Sequence, residues 1–357
     1  MALYDIYTPV DLYRVMFDPR QTVPTNQWLN MFYKASFLST TEEIGFSKIN
    51  ASRRIAPFML PNEPGKPIYR REGEALTTFK PAYTKPKDAV RPGEMLQLQP
   101  GELSRREALS SPAGRYAAEV IRIAQFQKNA IFRLWDFMGA RALLNGSITI
   151  PYQDGPTVTL DFGRDPGHTV TLTGGDRWGQ VGVNIVTNLN TWINTMTGAA
   201  FGGRPSDIIL GASAAVPFLA SQDIKDLMNN DFRGSSEILI KRGIITTDPL
   251  DPFTYLGQLD TGMNVWMYSG PASKFQNNDG SFTDIMDPRD VLLISAAVEG
   301  VKCFGAILDE DAGLQPIDIF TKMWSQPDPS GRFIMSQSAP LMIPVNPNCT
   351  FRARVVA

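Results

Sequence analysis

The sequence holds few side chains that could perform chemistry, and the first of them is its single histidine, His168 in "GRDPGHTV". A Ser–His–Asp or Cys–His mechanism would depend on this one imidazole. No G-x-S-x-G nucleophile motif accompanies it. A histidine in this setting is more typical of a turn at the start of a strand. We therefore predict no catalytic residue of this kind.

The second candidate is the acidic run "LDEDAG", in which Asp309, Glu310 and Asp311 are adjacent. Two carboxylates can serve a glycosidase as its acid and base. Six tryptophans and ten tyrosines could add stacking surfaces for a sugar. These aromatic residues are spread along the chain and indicate no single pocket. A carbohydrate-active or sugar-binding protein is thus one alternative, and a solvated loop is the simpler interpretation of the acidic run.

Cofactor and metal sites lack their usual motifs. There is no G-x-x-x-x-G-K-[ST] phosphate loop, and no dinucleotide fingerprint opens a helix. Cys303 and Cys349 are not spaced like the ligands of a metal site. In a reducing compartment they would remain thiols, and we expect them to be buried in the apolar core. The sequence predicts no cofactor and no metal, and it does not indicate an enzyme.

The overall composition is that of an ordinary globular protein. The chain has 357 residues, of which 43% are hydrophobic and 20% charged, and its formal net charge is -2. No apolar run reaches the roughly 18 to 20 residues that span a bilayer, and Asp5 and Asp11 stand where a secretory signal would be basic. A chain with a small net negative charge has no overall positive electrostatic potential that would attract nucleic acid. We predict a cytosolic protein of two or more lobes without a membrane role.

A proline-rich stretch precedes the long regular elements. Proline lacks an amide donor and forces its predecessor into extended backbone, so a helix is excluded here; the prolines stand at 57, 61, 64, 67, 81, 86 and 92. The alternation in "IYRREGEALTTF" predicts two strands joined near "REGEA", and hence a protruding β-hairpin. From residue 53 to 91 basic residues outnumber acidic ones, which favours docking onto an acidic surface. A solvated mobile loop is the alternative.

A long helix is predicted after this stretch. Ser111 and Pro112 form an N-cap and first-turn pair, and Asn145 with Gly146 supplies a stop. Apolar side chains keep one stripe over residues 112–144, which would make a rod of about 50 Å. The predicted core of this spine helix is Val120, Ile123, Ile131, Leu134, Trp135 and Met138.

The remaining sequence mixes strands and helices. "SITIPYQDGPTVTLDFG" predicts a β-hairpin, and a helix is expected near 183–196 and another after "ASAAVPFL". Further strands are predicted at "HTVTLT", "DIILG", "TYLGQL", "MNVWMYSG", "VLLISA" and "VKCFGAIL". The C-terminal "RFIMSQSAPLMIPVNPNCTFRARVVA" alternates like strands that return to an earlier sheet.

Several short motifs carry a family resemblance. "FKPAYTKPKDAV" resembles the end of the extended loop in lambda-type major head proteins, and "IMSQSAPLMIPVNP" resembles the C-terminal signature of that family. "FRGSSEIL" and "VWMYSG" are similar to stretches that the family carries in the same order. The chain is thereby identified as a member of the tailed-phage major capsid proteins with the Hong Kong 97 fold.

The resemblance implies an α+β Hong Kong 97-like architecture. Its expected parts are an N-terminal arm (1–51), an extended β-hairpin loop (52–95), a peripheral domain with the spine helix (96–182), an axial α/β domain (183–330) and C-terminal strands returning to the peripheral or axial sheet (331–357). In this fold the extended loop of one subunit lies across its neighbour. The expected contacts of that clasp are Ile68, Tyr69, Arg70, Arg71, Phe79, Tyr83, Lys85 and Lys87.

The resemblance also implies function and partners. It indicates a structural protein that self-assembles into hexamers and pentamers of an icosahedral shell around packaged double-stranded DNA, in the virion after assembly in the host cytoplasm. Expected partners are a separate scaffolding protein, a decoration protein outside, a portal protein at one vertex, and DNA bound weakly without sequence specificity. Because the arm begins at once, we expect no N-terminal processing. We also expect no cross-link through Lys66, Lys80, Lys85 or Lys87. A tail or baseplate protein, forming tubes or rings, is the remaining alternative.

Overall fold

The computed structural model describes residues 7–17, 27–41, 43–47, 76–91, 93, 112–151, 156–227, 251–276, 280–328 and 330–357. Six α-helices lie in them: α1 (Pro9–Met16), α2 (Gln27–Phe32), α3 (Pro112–Asn145), α4 (Ile185–Gly198), α5 (Ala212–Ala220) and α6 (Gln222–Leu227). A capping box between Thr8 and Asp11 starts α1, and the side chain of Asn184 starts α4. The helix expected after "ASAAVPFL" is present as α6, and the residues of "ASAAVPFL" themselves form a further helix, α5. None of the described helices is both long and apolar enough to cross a bilayer.

The spine helix α3 dominates the fold. It has 34 residues and ends where the sequence predicts, because Gly146 adopts a left-handed φ of 69°. A Cβ at Gly146 would lie 2.6 Å from Cβ of Arg164, so only glycine fits here. The Arg164 guanidinium donates to the carbonyls of Leu143 and Leu144 at 3.1 and 3.0 Å and so caps the C-terminal end of α3. Val120, Ile131, Trp135 and Met138 are buried, and Ile123 and Leu134 are half-buried.

Strands form several small sheets around this helix. They are β1 (Tyr33–Leu38), β2 (Ile44–Ser47), β3 (Leu76–Phe79), β4 (Lys87–Val90), β5 (Ser147–Ile150), β6 (Val158–Asp161), β7 (Thr169–Thr171), β8 (Asp207–Gly211), β9 (Phe253–Gln258), β10 (Asn264–Tyr268), β11 (Lys274–Gln276), β12 (Phe282–Asp284), β13 (Asp290–Ile294), β14 (Gly300–Phe304), β15 (Phe320–Gln326), β16 (Gly331–Gln337), β17 (Pro340–Pro344) and β18 (Thr350–Arg354). The predicted hairpin β5–β6 is present. The strands predicted at "TYLGQL" and "MNVWMYSG" are β9 and β10, and they pair antiparallel.

The sheets have mixed topology. The largest has the order β7-β18-β13-β8-β10-β9, and two three-stranded sheets have the orders β15-β16-β4 and β1-β14-β17. The C-terminal strands were expected to return to an earlier sheet. They return to three, since β16, β17 and β18 each join a different one. The last 27 residues therefore connect the main parts of the molecule.

The two largest of the apolar cores in the described residues are separated by the largest sheet. One surrounds α3, and the other lies between that sheet and α4 and α5, where the rings of Trp178, Trp192, Phe218 and Phe351 pack together. The described part of the stretch predicted as an N-terminal arm packs on the rest of its chain. Its helices α1 and α2 and strand β1 contribute buried residues to the core: Leu12, Met16, Trp28, Leu29 and Tyr33. Burial of each such side chain stabilises the fold by about 1.5–3 kcal/mol. These residues therefore favour a segment that stays attached to its own subunit.

Candidate assembly surface and its anchor

The stretch "FKPAYTKPKDAV", predicted to contact a neighbouring subunit, begins inside its own chain's structure. Phe79 ends β3, which pairs antiparallel with β2, and its ring lies 5.6 Å from the ring of Phe162. Pro81 and Ala82 are buried. Gly305 lies against Pro81 so closely that a Cβ at Gly305 would be 2.8 Å from Cγ of the proline. This part of the stretch is an internal packing element.

Tyr83 continues the internal contacts through its hydroxyl group. The hydroxyl donates to Oε1 of Gln337 at 2.7 Å and accepts from the amide of Leu308 at 3.1 Å. Gln337 in turn donates to Asp309 at 2.6 Å. Burial raises the pKa of Tyr83, and the charge of Asp309 raises it further against the hydrogen bond from Leu308. Tyr83 therefore remains a neutral hydroxyl that holds the stretch to the 308–309 loop.

The end of the stretch is joined to the spine helix through a buried amide. Strand β4 pairs with β16, which places Asp88 beside α3. Gln127 of α3 is fully buried; it donates to Asp88 at 2.8 Å and to the carbonyl of Ile334 at 3.1 Å. Ser336 donates to Gln127 Oε1 at 2.7 Å. Every polar group of the Gln127 side chain thus has a partner, as a buried amide requires.

Three lysines of the stretch reach the surface, Lys80, Lys85 and Lys87, and the last two lie against aromatic rings. The ammonium of Lys87 lies 4.1 Å from the ring centre of Phe333 and 5.2 Å from that of Trp324, and the ammonium of Lys85 lies 4.7 Å from that of Tyr83. Both lysines are exposed. Cation–π contacts of this kind hold the charge against a ring while leaving it open to solvent.

Four of the predicted clasp residues have contacts within their own chain: Phe79, Tyr83, Lys85 and Lys87. Contact of these residues with a neighbouring subunit stays a prediction. The other four predicted contacts lie outside the described residues: Ile68, Tyr69, Arg70 and Arg71.

The acidic run does not have the geometry of an acid–base pair. The ammonium of Lys322 bridges Asp309 and Asp311 at 2.7 and 3.0 Å. Burial raises the pKa of Asp309, but hydrogen bonds from Lys322 and Gln337 outweigh this and hold the pKa below its ordinary value. A glycosidase acid requires the opposite shift. The acidic run is a structural ion-pair cluster that fastens its loop to β15.

The other candidate chemical groups are buried. His168 is fully buried in a 3-10 turn before β7, with Nδ1 3.0 Å from the carbonyl oxygen of Thr350. Cys303 and Cys349 are buried free thiols, and burial raises their pKa to about 12 and about 11. Within the described ranges no group of His, Cys, Asp and Glu side chains could hold a metal ion.

Two buried carboxylates were not predicted as important. Asp136 of α3 accepts from the amide of Leu29 at 3.1 Å and so holds the start of α2, and burial raises its pKa to about 7. Asp290 is fully buried between Arg352 and Arg354 of β18. The position of Asp136 between Trp135 and Phe137, inside an apolar stripe, could have indicated its buried role. No local pattern indicates Asp290, because Arg352 and Arg354 are more than 60 residues away in the sequence.

Tyr83→Phe should lower the free energy of unfolding by about 1–2 kcal/mol, since Gln337 and the Leu308 amide each lose a partner. Urea unfolding followed by circular dichroism measures this change. Tyr13→Phe is the matched control, because Tyr13 is 42% exposed and stacks on Phe17 through its ring alone. Its expected change is within about 0.5 kcal/mol. Equal effects of the two substitutions would contradict the anchoring role of Tyr83.

The polar side chains described above hold strands and helices to one another. Comparison with known proteins shows the class to which the chain belongs. The family model for phage major capsid protein E matches residues 20–355. The major capsid protein of Escherichia phage lambda is 25% identical over 329 residues, covering 90% of this chain and 91% of the relative. That of Escherichia phage N15 is 25% identical over 356 residues, covering 96% and 97%.

One solved structure shows the same fold. The crystal structure of a capsid protein of an Escherichia coli CFT073 prophage aligns with a TM-score of 0.73 and 18% identity over 99% of this chain and 100% of that one. The chain belongs to the phage major capsid protein E family. This family is structural and not enzymatic, and the predicted α+β class with a long spine helix is confirmed.

Proposed function

We propose that this chain is the repeating subunit of an icosahedral phage head, assembled as hexamers and pentamers around packaged double-stranded DNA. The observation that carries the proposal is the family match over residues 20–355. The likeness in fold to a prophage capsid protein over the whole chain supports it. A carbohydrate-active role loses its basis, because the acidic run is an ion-pair cluster.

The chain path supports an extended loop that reaches a neighbour. Ser47 at the end of β2 pairs with Leu76 at the start of β3. The residues on either side of segment 48–75 therefore lie next to each other. Their sequence carries an excess of basic side chains: Lys48, Arg53, Arg54, Lys66, Arg70 and Arg71 against Glu63, Glu72 and Glu74. We place the clasp in this segment, with β2 and β3 as its stem.

Further partners are part of the proposal. They are a separate scaffolding protein, a decoration protein outside, a portal protein at one vertex, and DNA held weakly, in a shell that assembles in the host cytoplasm. The net charge of -2 supports weak contact with DNA, because strong binding needs an excess of Lys and Arg. The decoration protein is placed near Arg70 and Arg71. Charge reversal at both positions that leaves decoration and assembly intact would count against this placement.

Negative-stain electron microscopy and light scattering of the chain, alone and with its scaffold, test the main proposal. Closed shells, or rings of five and six subunits, are expected. Open tubes would favour a tail protein, and a stable monomer under both conditions would overturn the proposal. On a denaturing gel the shells should give full-mass subunits without covalent ladders.

A further inference from the structure

A cavity of about 470 Å³ lies where several parts of the fold meet. Its walls come from the C-terminal end of α3, the start of α5, strand β12 with its connection to β13, and strand β18. Its volume lies within the roughly 300–1,000 Å³ of small-molecule sites. Four of the residues that line it are arginines: Arg141, Arg289, Arg352 and Arg354. The charges of the lining therefore decide which ligand could bind.

Three of these arginines share two aspartates. Asp287 accepts from Nε and Nη2 of Arg289 at 2.9 and 2.8 Å and from Nη2 of Arg354 at 2.7 Å. Asp290 accepts from both Arg352 and Arg354. The hydrogen bonds from Arg289 lower the pKa of Asp287 to about 2, so this carboxylate is ionised at neutral pH. Both carboxylates are therefore occupied, and one positive charge is left over.

Arg141 of α3 has no such partner. Its Nη2 donates to the backbone carbonyl of Asp284 at 3.3 Å, and its guanidinium group lies 5.3 Å from the ring centre of Phe137. The carboxylate of Asp284, the third aspartate of the lining, pairs with Lys274 at 3.7 Å. Within the described ranges Arg141 forms no ion pair. The cavity wall thus holds a half-buried cation without a counter-ion.

Unused hydrogen-bond donors accompany this charge. A guanidinium group carries five N–H donors in a planar fork. In the part of the chain that the structure describes, Nε and Nη1 of Arg141, Nη1 of Arg289 and Nη1 of Arg354 have no protein acceptor. Burial lowers the pKa of Arg141, and the charge of Arg352 lowers it further against that of Asp290. An anion in the cavity would accept from these donors and offset the excess positive charge.

The lining also restricts which anion can bind. Among the described residues that form it none is aromatic, so it offers no ring on which a nucleotide base could stack. Ser213 and Thr283 add hydroxyl groups, which can donate to an anion. The planar fork of a guanidinium group matches the oxygen atoms of a phosphate or a carboxylate in pairs. A tetrahedral oxyanion can accept from several such groups at once, because its oxygen atoms point in different directions.

We propose that this cavity binds a free tetrahedral oxyanion of the phosphate class, with Arg141 as its counter-ion and Arg289 and Arg354 as further donors. The inference does not depend on the proposed function, since every residue of the lining belongs to one chain. The bound ion would connect the end of α3 to the β12–β13 connection and to β18. Because the cavity exists only in the folded chain, phosphate should stabilise the folded state.

Thermal unfolding of the full chain in sodium phosphate at pH 7.5 tests the site, with sodium chloride at equal ionic strength as reference. The unfolding temperature of the parent should rise with phosphate and then level off, because one site saturates. Arg141→Met should raise the phosphate concentration at half-effect at least tenfold. Arg133→Met removes an exposed arginine from the same helix and should leave it within twofold. An equal response of all three proteins would indicate general exclusion of phosphate from protein surfaces and would overturn the proposal.

Modification by phenylglyoxal, which reacts with guanidinium groups, tests the site in the unaltered protein and so does not depend on the folding of a variant. Peptide mass spectrometry gives the rate at each arginine. Phosphate should slow the modification of Arg141 at least fivefold relative to chloride at equal ionic strength and leave that of Arg133 within twofold. Equal protection of the two residues, or protection of neither, would overturn the proposal. Protection of Arg141 by a short DNA duplex but not by inorganic phosphate would overturn a free ion as the ligand.

Discussion

Asp290→Ala is expected to lower the free energy of unfolding by about 3–5 kcal/mol, the largest loss predicted for a single substitution in this chain. Asp290 begins β13 and is fully buried. Its two carboxylate oxygens accept from Nε and Nη2 of Arg352 at 2.7 and 2.5 Å and from Nε of Arg354 at 2.9 Å. Removal of the carboxylate leaves two partly buried guanidinium groups without this partner.

The position of the ion-pair network explains the size of this effect. Arg354 lies opposite Asp290 in the antiparallel pair of β13 and β18, and Arg352 lies two residues away on the same side of the strand. Arg352 also donates to Asn145, the last residue of α3, at 2.5 Å. The network therefore joins the C-terminal strand to the largest sheet and to the end of the spine helix. Its loss should also reduce the yield of assembled particles.

Denaturant unfolding of Asp290→Ala and of Asp284→Ala provides the comparison. Asp284 pairs with Lys274 at 3.7 Å, and both side chains are solvent-accessible, so its removal should cost less than about 1 kcal/mol. Arg352→Met combined with Asp290→Ala should cost less than the two single losses together, because each single change leaves a charge unpaired. A loss below about 1 kcal/mol for Asp290→Ala would show that the network does not stabilise the fold.

Asp136→Asn is expected to stabilise the protein at pH 8 by on the order of 2 kcal/mol. Burial raises the pKa of Asp136 to about 7, above its ordinary value of 3.8. The unfolded chain releases this proton near pH 4 and the folded chain near pH 7. The folded state is therefore increasingly penalised as the pH rises from about 4 to about 7, and the full penalty remains above that. Asparagine is uncharged at every pH and keeps an oxygen for the Leu29 amide.

The pH dependence separates this cause from a change in packing. The stability of the parent should fall between pH 4 and pH 7, and the advantage of Asp136→Asn should disappear well below pH 4, where Asp136 is protonated in both the folded and the unfolded state. Tyr33 and Tyr268 lie near Asp136, but burial raises the pKa of both above their ordinary value, so neither titrates in this range. Thermal unfolding across this range measures the difference. A constant difference at all pH values would rule out titration of Asp136 as its source.

Local sequence determined most of the secondary structure. Pro112 and Gly146 mark the two ends of α3, because their backbone preferences act within a single turn. The β5–β6 hairpin and the β9–β10 pair follow from alternating patterns on either side of short connections. The family resemblance was also present in the sequence, in "FKPAYTKPKDAV" and "IMSQSAPLMIPVNP", and the family model matches the chain over residues 20–355.

The tertiary structure alone decided which of these elements meet. It placed β4 against β16, about 245 residues along the chain, and joined Gln127 to Asp88 and Ser336. It also put Phe79 and Tyr83 into internal contacts and left the outer face of α5 uncovered. The physical reason is that hydrophobic burial has no preferred direction. An apolar or half-polar pattern specifies that a face is covered, and only the packing of distant segments determines what covers it.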